Sequence, residues 1–326
     1  MIRCWRTCCF CFLPVSLCLS ASAQLGRSWT QATAAAPWLP RDGLASVVHD
    51  GRIWIVSGRD QNDAWYSSDG TSWVLATASA PWSGRRRHTS VVFHGQIWVI
   101  GGNAGNVPSL KNDVWYSSDG LRWTSSTLSA PWSARMAHSS VVYNDKIWVI
   151  GGSDDTGYKN DVWYSSDGTH WTSAALSAPW STRAGHTSVV FDGKIWVIGG
   201  NHYQQADFPL SDVWYSSDGV TWTSATLAVP WLPRFGHTSV ACDGKMWVIG
   251  GHSLAGSDVW YSSDGVYWTS ATLAAPWPAR YDHSSAVYGE RIWIVGGRGG
   301  TMSDYKNDAW YSAMPTQHVP SWRLYP

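Results

Sequence analysis

The chain has 326 residues; 14% are charged, and 23 basic residues balance 23 acidic ones. Neutrality removes the basic footprint of a nucleic-acid binder, and a 44% hydrophobic content excludes a charged, disordered chain. Glutamate occurs once, at Glu290, while tryptophan occurs 26 times, so carboxylate chemistry would rest on aspartates and the fold on indoles.

The chain opens on a targeting pattern. Arg3 and Arg6 make a basic start, residues 7–19 are mostly apolar, and Ala21-Ser22-Ala23 is a small-x-small cleavage site. The apolar run is shorter than the about 20 residues a membrane span needs, and no later stretch is longer. Residues 1–23 therefore read as a signal peptide, and the product as secreted, extracellular or periplasmic, without a membrane span. Cleavage before Gln24 removes Cys4, Cys8, Cys9, Cys11 and Cys18. Cys242 alone remains, so the mature chain enters an oxidising compartment with no possible intramolecular disulfide.

Residues 24–314 are one motif repeated six times, followed by a short tail at 315–326. Four tryptophan columns recur. The first is Trp29, Trp73, Trp123, Trp171, Trp222 and Trp268. The second, always after proline, is Trp38, Trp82, Trp132, Trp180, Trp231 and Trp277. The third is Trp54, Trp98, Trp148, Trp196, Trp247 and Trp293, and the fourth Trp65, Trp115, Trp163, Trp214, Trp260 and Trp310. First to second column is always 9 residues, second to third 16, and fourth to the next first 8, whereas third to fourth varies from 11 to 18. Each unit thus has one variable loop. Within a unit, residues 186–191, 194–198, 212–216 and 221–226 read as strands, rich in Val, Ile, Thr, Trp and Tyr and punctuated by glycine. Asp-Gly pairs mark the first turn (Asp50-Gly51, Asp192-Gly193, Asp243-Gly244) and the third (Asp69-Gly70, Asp119-Gly120, Asp167-Gly168, Asp218-Gly219, Asp264-Gly265). Such pairs favour tight hairpins with two positive φ angles. Three of the tryptophan columns fall within strands and are expected in the core.

The Arg-x-x-His entry (Arg183, His186), the apolar strand ending in Gly-Gly, and the Asp-Val-Trp-Tyr strand with its following Trp resemble the Kelch repeat, over residues 26–312. The resemblance implies an all-β, six-bladed β-propeller of four-stranded blades. The first unit departs from it, with Leu44 in the His column and Ser57-Gly58 for Gly-Gly. Residues 26–30 match the start of a fourth strand and the sixth unit stops after Ser312, so the N-terminal strand is expected to close blade six; a strand at Trp322 is the alternative.

Strands alternate up and down, so the second-to-third and fourth-to-first loops share one face, which carries the length variation. Loops on a rigid scaffold usually carry function. The candidate binding residues are Arg59, Asp60, Asn103, Asn106, Asp154, Asp155, Tyr158, His202, Tyr203, Asp207, Phe208, His252, Arg298 and Tyr305. The repeated charges read differently. Arg41, Arg85, Arg135, Arg183, Arg234 and Arg280 begin first strands, and Asp63, Asp113, Asp161, Asp212, Asp258 and Asp308 begin third strands. Six equal copies suit structural ion pairs better than a ligand ring. The column His88, His138, His186, His237 and His283 lies one per blade and reads as structural hydrogen bonding, with no metal site. The Pro-Trp column is either a plug between blades or a ring of exposed aromatic faces able to stack sugars.

Among propellers, the galactose-oxidase type needs a Tyr-Cys crosslink, and Cys242 stands in a core column. The sialidase type needs an activating Glu, and Glu290 sits in a first turn on the opposite face. No Gly-x-Ser-x-Gly elbow, His-Glu-x-x-His or phosphate loop occurs. The sequence reads as a secreted, monomeric, non-catalytic protein-binding scaffold without cofactor, with glycan binding and a degenerate oxidase-like or sialidase-like enzyme as alternatives.

Overall fold

The computed structural model describes residues 25–105, 109–203, 207–253, 256–301 and 303–312. Residues 1–23, expected to be a signal peptide, the tail at 315–326 and Trp322 lie outside the described residues. Among those residues no helix is long and apolar enough to cross a membrane.

The repeated strands pair as six antiparallel sheets of four. Blade 1 consists of Ala45–His49, Arg52–Gly58, Gln61–Ser67 and Val74–Thr77; blade 2 of Thr89–Phe93, Gln96–Asn103, Leu110–Ser117 and Thr124–Thr127. Blade 3 consists of Ser139–Tyr143, Lys146–Asp154, Gly157–Ser165 and Thr172–Ala175; blade 4 of Thr187–Phe191, Lys194–Ile198, Val213–Ser216 and Thr223–Thr226. Blade 5 is Thr238–Cys242, Lys245–Ile249, Val259–Ser262 and Thr269–Thr272. Blade 6 takes Ser284–Tyr288, Arg291–Val295 and Ala309–Ser312, and its fourth strand is the N-terminal Trp29–Thr33, in register from Trp29 opposite Ser312. The six first strands contact one another in a closed cycle around a central channel. The chain is an all-β six-bladed propeller sealed by its own N-terminal strand.

The two Asp-Gly turns differ. At the first turn Asp50-Gly51 has φ of 49° and 64°, and Asp192-Gly193 the same pair, as a tight hairpin requires. At the third turn the glycine alone is positive, Gly70 at 73°. There Asp69 Oδ1 accepts the amides of Thr71 and Ser72 at 2.7 and 2.8 Å, and Ser67 Oγ accepts that of Gly70. Side-chain acceptors shape this turn, an Asx turn in place of the expected two-residue hairpin. The amide of Ser72, then that of Thr71, holds the Asp69 carboxyl well below the usual carboxylate range. The third-turn glycine also packs against an indole of the preceding blade. A Cβ on Gly120 would run into the Trp54 ring, one on Gly168 into Trp98, and one on Gly219 into Trp148.

Six apolar clusters fill the six seams between blades. The first and third tryptophan columns are buried there, as expected. The fourth column is half-buried, because each indole N–H turns to a third-strand aspartate, Trp163 to Asp161 Oδ2 at 2.8 Å for example. The Pro-Trp column is buried deepest, 1–2% exposed at all six positions. Trp82 meets Trp123 edge to face at 4.5 Å between ring centroids, and Trp180 meets Trp222 at 4.4 Å. A third-strand asparagine clamps the loop that carries it: Asn160 Nδ2 donates to the carbonyls of Ala178 and Trp180. Trp38, Trp82, Trp132, Trp180, Trp231 and Trp277 are therefore plugs between blades. The expectation of an exposed sugar-stacking ring is corrected, since these rings present no face to solvent.

Candidate binding site at the loop face

Each blade begins on an arginine that is 0–1% exposed. Its guanidinium pairs with the third-strand aspartate of the same blade: Arg41–Asp63, Arg85–Asp113, Arg135–Asp161, Arg183–Asp212, Arg234–Asp258 and Arg280–Asp308, at 2.5–2.7 Å. The same Nη1 reaches the carbonyl at the first position of the Gly-Gly pair, Gly199 O at 2.8 Å for Arg183. Burial raises the Asp113 carboxyl, but the Arg85 hydrogen bonds outweigh it and hold the group below its ordinary range. These pairs are internal ties of each blade, with no free guanidinium for a ligand.

The residues between arginine and histidine form the mouth of the channel. Gly43, Arg87, Ala137, Gly185, Gly236 and Asp282 occupy the second of these positions, all at φ of 51–64°. Each amide donates to the carbonyl of the residue one blade back, from Gly43 N to Asp282 O at 2.8 Å round to Asp282 N to Gly236 O at 2.7 Å. The six bonds close a ring. Left-handed φ suits glycine, and Arg87, Ala137 and Asp282 hold it against a cost of about 1–2 kcal/mol each. Arg87 spans the ring to Asp282, Nη2 to Oδ2 at 2.6 Å and Nε to Oδ2 at 2.9 Å. The Asp282 charge and hydrogen bond keep that guanidinium protonated against its burial. Asp42 lies beside the pair, 2% exposed, its carboxyl raised by desolvation and then by Asp282.

Above the ring is a basin of about 280 Å³ lined by Arg87, Tyr158, Asn201, Phe235, His252, Tyr281 and Asp282 among others. In blades 2 to 6 antiparallel bridges tie the residue after the arginine to the residue after Gly-Gly, Phe235 with His252 and Tyr281 with Arg298, so the two loops of such a blade form one wall. His252 stacks on Phe235 at 4.7 Å and meets Tyr281 edge-on at 5.2 Å. At the seam between blades 6 and 1, Arg59 lies over the Tyr305 ring at 3.8 Å, and Arg298 stands 5.5 Å from the same ring. Tyr158, His252, Arg298, Tyr305 and Arg59 thus share the loop face, the first two inside the basin.

The other candidates serve the loops themselves. Arg59 and Asp60 form a hairpin tip, with φ of 44° and 64°. Asn103 Oδ1 accepts the Gly105 amide at 2.7 Å. Asp154 pairs with Lys159 at 2.8 Å and caps the turn at Thr156, while Asp155 is exposed at the tip. His202 Nδ1 contacts the Thr182 carbonyl at 2.7 Å. Asn201–Tyr203 pairs with Asp207–Pro209 as a small extra ribbon on which Phe208 is exposed. Asn106 and the side chains of Tyr203 and Asp207 lie outside the described residues.

Sequence reasoning missed Arg87, Phe235, Tyr281, Asp282 and Asp42. Their signal was variation inside an otherwise repeated Arg-x-x-His element: Asp42-Gly43, Arg86-Arg87, Met136-Ala137, Ala184-Gly185, Phe235-Gly236 and Tyr281-Asp282.

The residues bearing on the alternatives are scattered. The histidines are separate: His138 Nε2 lies 3.0 Å from Thr89 Oγ1 and His186 Nε2 2.9 Å from Ser139 Oγ, each across a blade seam. Desolvation, then the neighbouring Arg183, lowers His186 to about 3, so it is neutral. Among the described residues no three His, Cys, Asp or Glu side chains converge. Cys242 ends a first strand, away from the loop face, with its thiol pushed up by burial. Glu290 is in the first turn of blade 6, at φ 58°.

Blades, seams and mouth define a Kelch-type β-propeller. The family model described as the KLHDC2/KLHL20/DRC7 Kelch-repeats domain matches residues 65–251, more than half of the sequence, and the chain belongs to the Kelch-repeat family. The solved structure described as "Structure of YjhT" superposes with a TM-score of 0.70 at 17% identity, covering 85% of this chain and 96% of that one; at that identity the likeness is one of fold. Comparison with curated protein sequences gives no match.

Proposed function

We propose that this chain is an exported, non-catalytic scaffold that binds a protein partner through its loop face. The basin over the channel carries the reading. It gathers Tyr158, Phe235, His252 and Tyr281 around the Arg87–Asp282 pair on a rigid backbone ring. Aromatic residues and arginine dominate the energetics of protein interfaces, and Kelch propellers generally bind proteins. In blades 1 to 3 the second and third strands run on into the loops, and Tyr158 on the blade 3 hairpin lines the basin. The glycan alternative loses its basis with the burial of the Pro-Trp rings.

The test is selection of a peptide library on the whole protein, repeated with Phe235→Ala and Tyr281→Ala. A peptide that binds the parent and loses at least tenfold affinity with both variants supports the reading, and retention of affinity overturns it. Export is checked separately: mass spectrometry of the released protein should find Gln24 at the N-terminus. An intact N-terminus in a cell-retained product overturns export alone.

A further inference from the structure

On the face opposite the loops, where the first and third turns lie, the repeat puts a cation on a tyrosine. In blades 1, 3, 4, 5 and 6 the second strand opens on Arg52, Lys146, Lys194, Lys245 and Arg291. Each charged group stands over the third-strand tyrosine of its own blade. Arg52 is 4.7 Å from the Tyr66 centroid, Lys146 4.3 Å from Tyr164 and Lys194 5.6 Å from Tyr215. Lys245 is 5.7 Å from Tyr261 and Arg291 4.5 Å from Tyr311. All lie within the about 6 Å at which the negative face of a ring attracts a cation. Blade 2 has the tyrosine, Tyr116, but its second strand opens on Gln96, whose amide is neutral. Tyr116 keeps the same backing, the Trp98 ring at 5.0 Å, as Tyr66 has Trp54.

A notch of about 480 Å³ lies at this place, in the seam between blades 2 and 3. Phe93, Gln96, Trp98 and Tyr116 line it from blade 2, and Ser166 and Asp167 from the third turn of blade 3. Tyr116 is half-buried, with its remaining surface open to the notch. A second departure from the repeat leaves the seam untied. In blade 3 the Tyr143 hydroxyl bonds the carbonyls of Gly193 and Ser217 in the next blade, and in blade 6 the Tyr288 hydroxyl bonds those of Gly51 and Ser68. Phe93 holds that position in blade 2 and has no hydroxyl. Phe191 and Cys242 lack one too, but their blades keep Lys194 and Lys245 over the tyrosine. Blade 2 alone has lost both. No lysine or arginine is among the described residues that line the notch, whereas Asp167 is. Burial raises the Asp167 carboxyl, but hydrogen bonds from His170 and two turn amides outweigh it and hold the group ionised.

We propose that this notch binds a primary alkylammonium group, of a free amine or of a lysine side chain, which takes the place over Tyr116 that the chain's own lysine or arginine fills in the other five blades. The ring face and the Asp167 carboxylate on the facing wall both attract a cation. This site lies on the opposite face from the basin and does not depend on it.

The test is an NMR titration of the whole protein, followed at the Trp98 indole N–H, with n-butylammonium and with 1-butanol as its neutral counterpart. Gln96→Lys and Tyr116→Leu are titrated alongside. The parent should show a saturable shift with the ammonium ion and bind the alcohol at least fivefold more weakly. Gln96→Lys, which supplies the cation as blades 3 to 5 do, should lower affinity for butylammonium at least tenfold while keeping the parent's circular dichroism spectrum. Absence of a saturable shift in the parent overturns the proposal, as does equal affinity for the alcohol or unchanged affinity in a folded Gln96→Lys variant. Should that variant not fold, Tyr116→Leu decides: a several-fold loss supports the site, and unchanged affinity overturns it. A capped Gly-Lys-Gly peptide distinguishes the sources: tighter binding than butylammonium assigns the group to a peptide lysine, weaker binding to a free amine, and each supports the site.

Discussion

At the scale of single residues, the buried histidines make stability depend on pH. His88, His138, His186 and His283 are lowered to about 3 and His237 well below its usual value, all first by desolvation and then by the arginine of the same repeat. A base whose pKa is depressed on folding takes up its proton first in the unfolded chain. Its contribution is therefore complete above about pH 6.5 and is lost as the pH falls from there toward about 3. Each histidine that stays neutral adds a slope of about 1.4 kcal/mol per pH unit. Urea unfolding at pH 7.5, 6.0 and 5.0 should show a steep loss before the aspartates begin to titrate, and a flat profile over that range would contradict buried neutral imidazoles. The arginine ties make a second residue-scale case. Asp212→Ala leaves the fully buried Arg183 guanidinium with carbonyl partners but no counter-charge. Removing one partner of a buried pair costs about 3–5 kcal/mol. Denaturant unfolding of this variant should show a loss of that order, and a loss near zero would mean that the pair is effectively solvent-screened.

At the scale of elements, the indoles fix the blades to one another. Trp180 packs on Trp222 and its loop hangs on Asn160, so Trp180→Ala should cost about 3–5 kcal/mol in thermal or denaturant unfolding. A surface plug would cost far less. This element was legible in position but not in exposure: proline and tryptophan mark a loop, yet only the neighbouring blade decides whether its ring is covered. The strands were legible to within a residue or two because the tryptophan spacings are invariant and the apolar alternation is strong. The third turn was not, since the same Asp-Gly pair makes an Asx turn once Ser67 and Asp69 supply acceptors. Nor was the ribbon Asn201–Tyr203 with Asp207–Pro209, where backbone pairing continues after the apolar pattern has ended. The basin over the channel was half legible. Tyr158 and His252 stood out as unrepeated loop residues, whereas Phe235, Tyr281 and Asp282 were hidden within a repeated tetrapeptide.

At the scale of the whole molecule, a ring has no internal end, and one strand prevents it from having one. Trp29–Thr33 pairs with Ala309–Ser312, and Trp29 meets Trp277 edge to face at 5.8 Å, so the last blade and the seam before it depend on the first residues of the ring. Gly26 seats against the Trp247 ring of blade 5, as the third-turn glycines do elsewhere. Without residues 25–33, blade 6 keeps three strands, exposes the edge of Ala309–Ser312, and loses an indole from a buried cluster. An unpaired edge strand is a template for pairing with other chains. Such a truncation should unfold at lower denaturant than the parent, in two stages rather than one, and should self-associate in sedimentation. A synthetic peptide of residues 25–33 added in trans should restore the parent's sedimentation and the single transition, because it returns both the ladder and the Trp29 contact. A truncated chain that unfolds at the parent's midpoint and sediments as the parent does would show that the blade seams hold the ring without the strand that closes it.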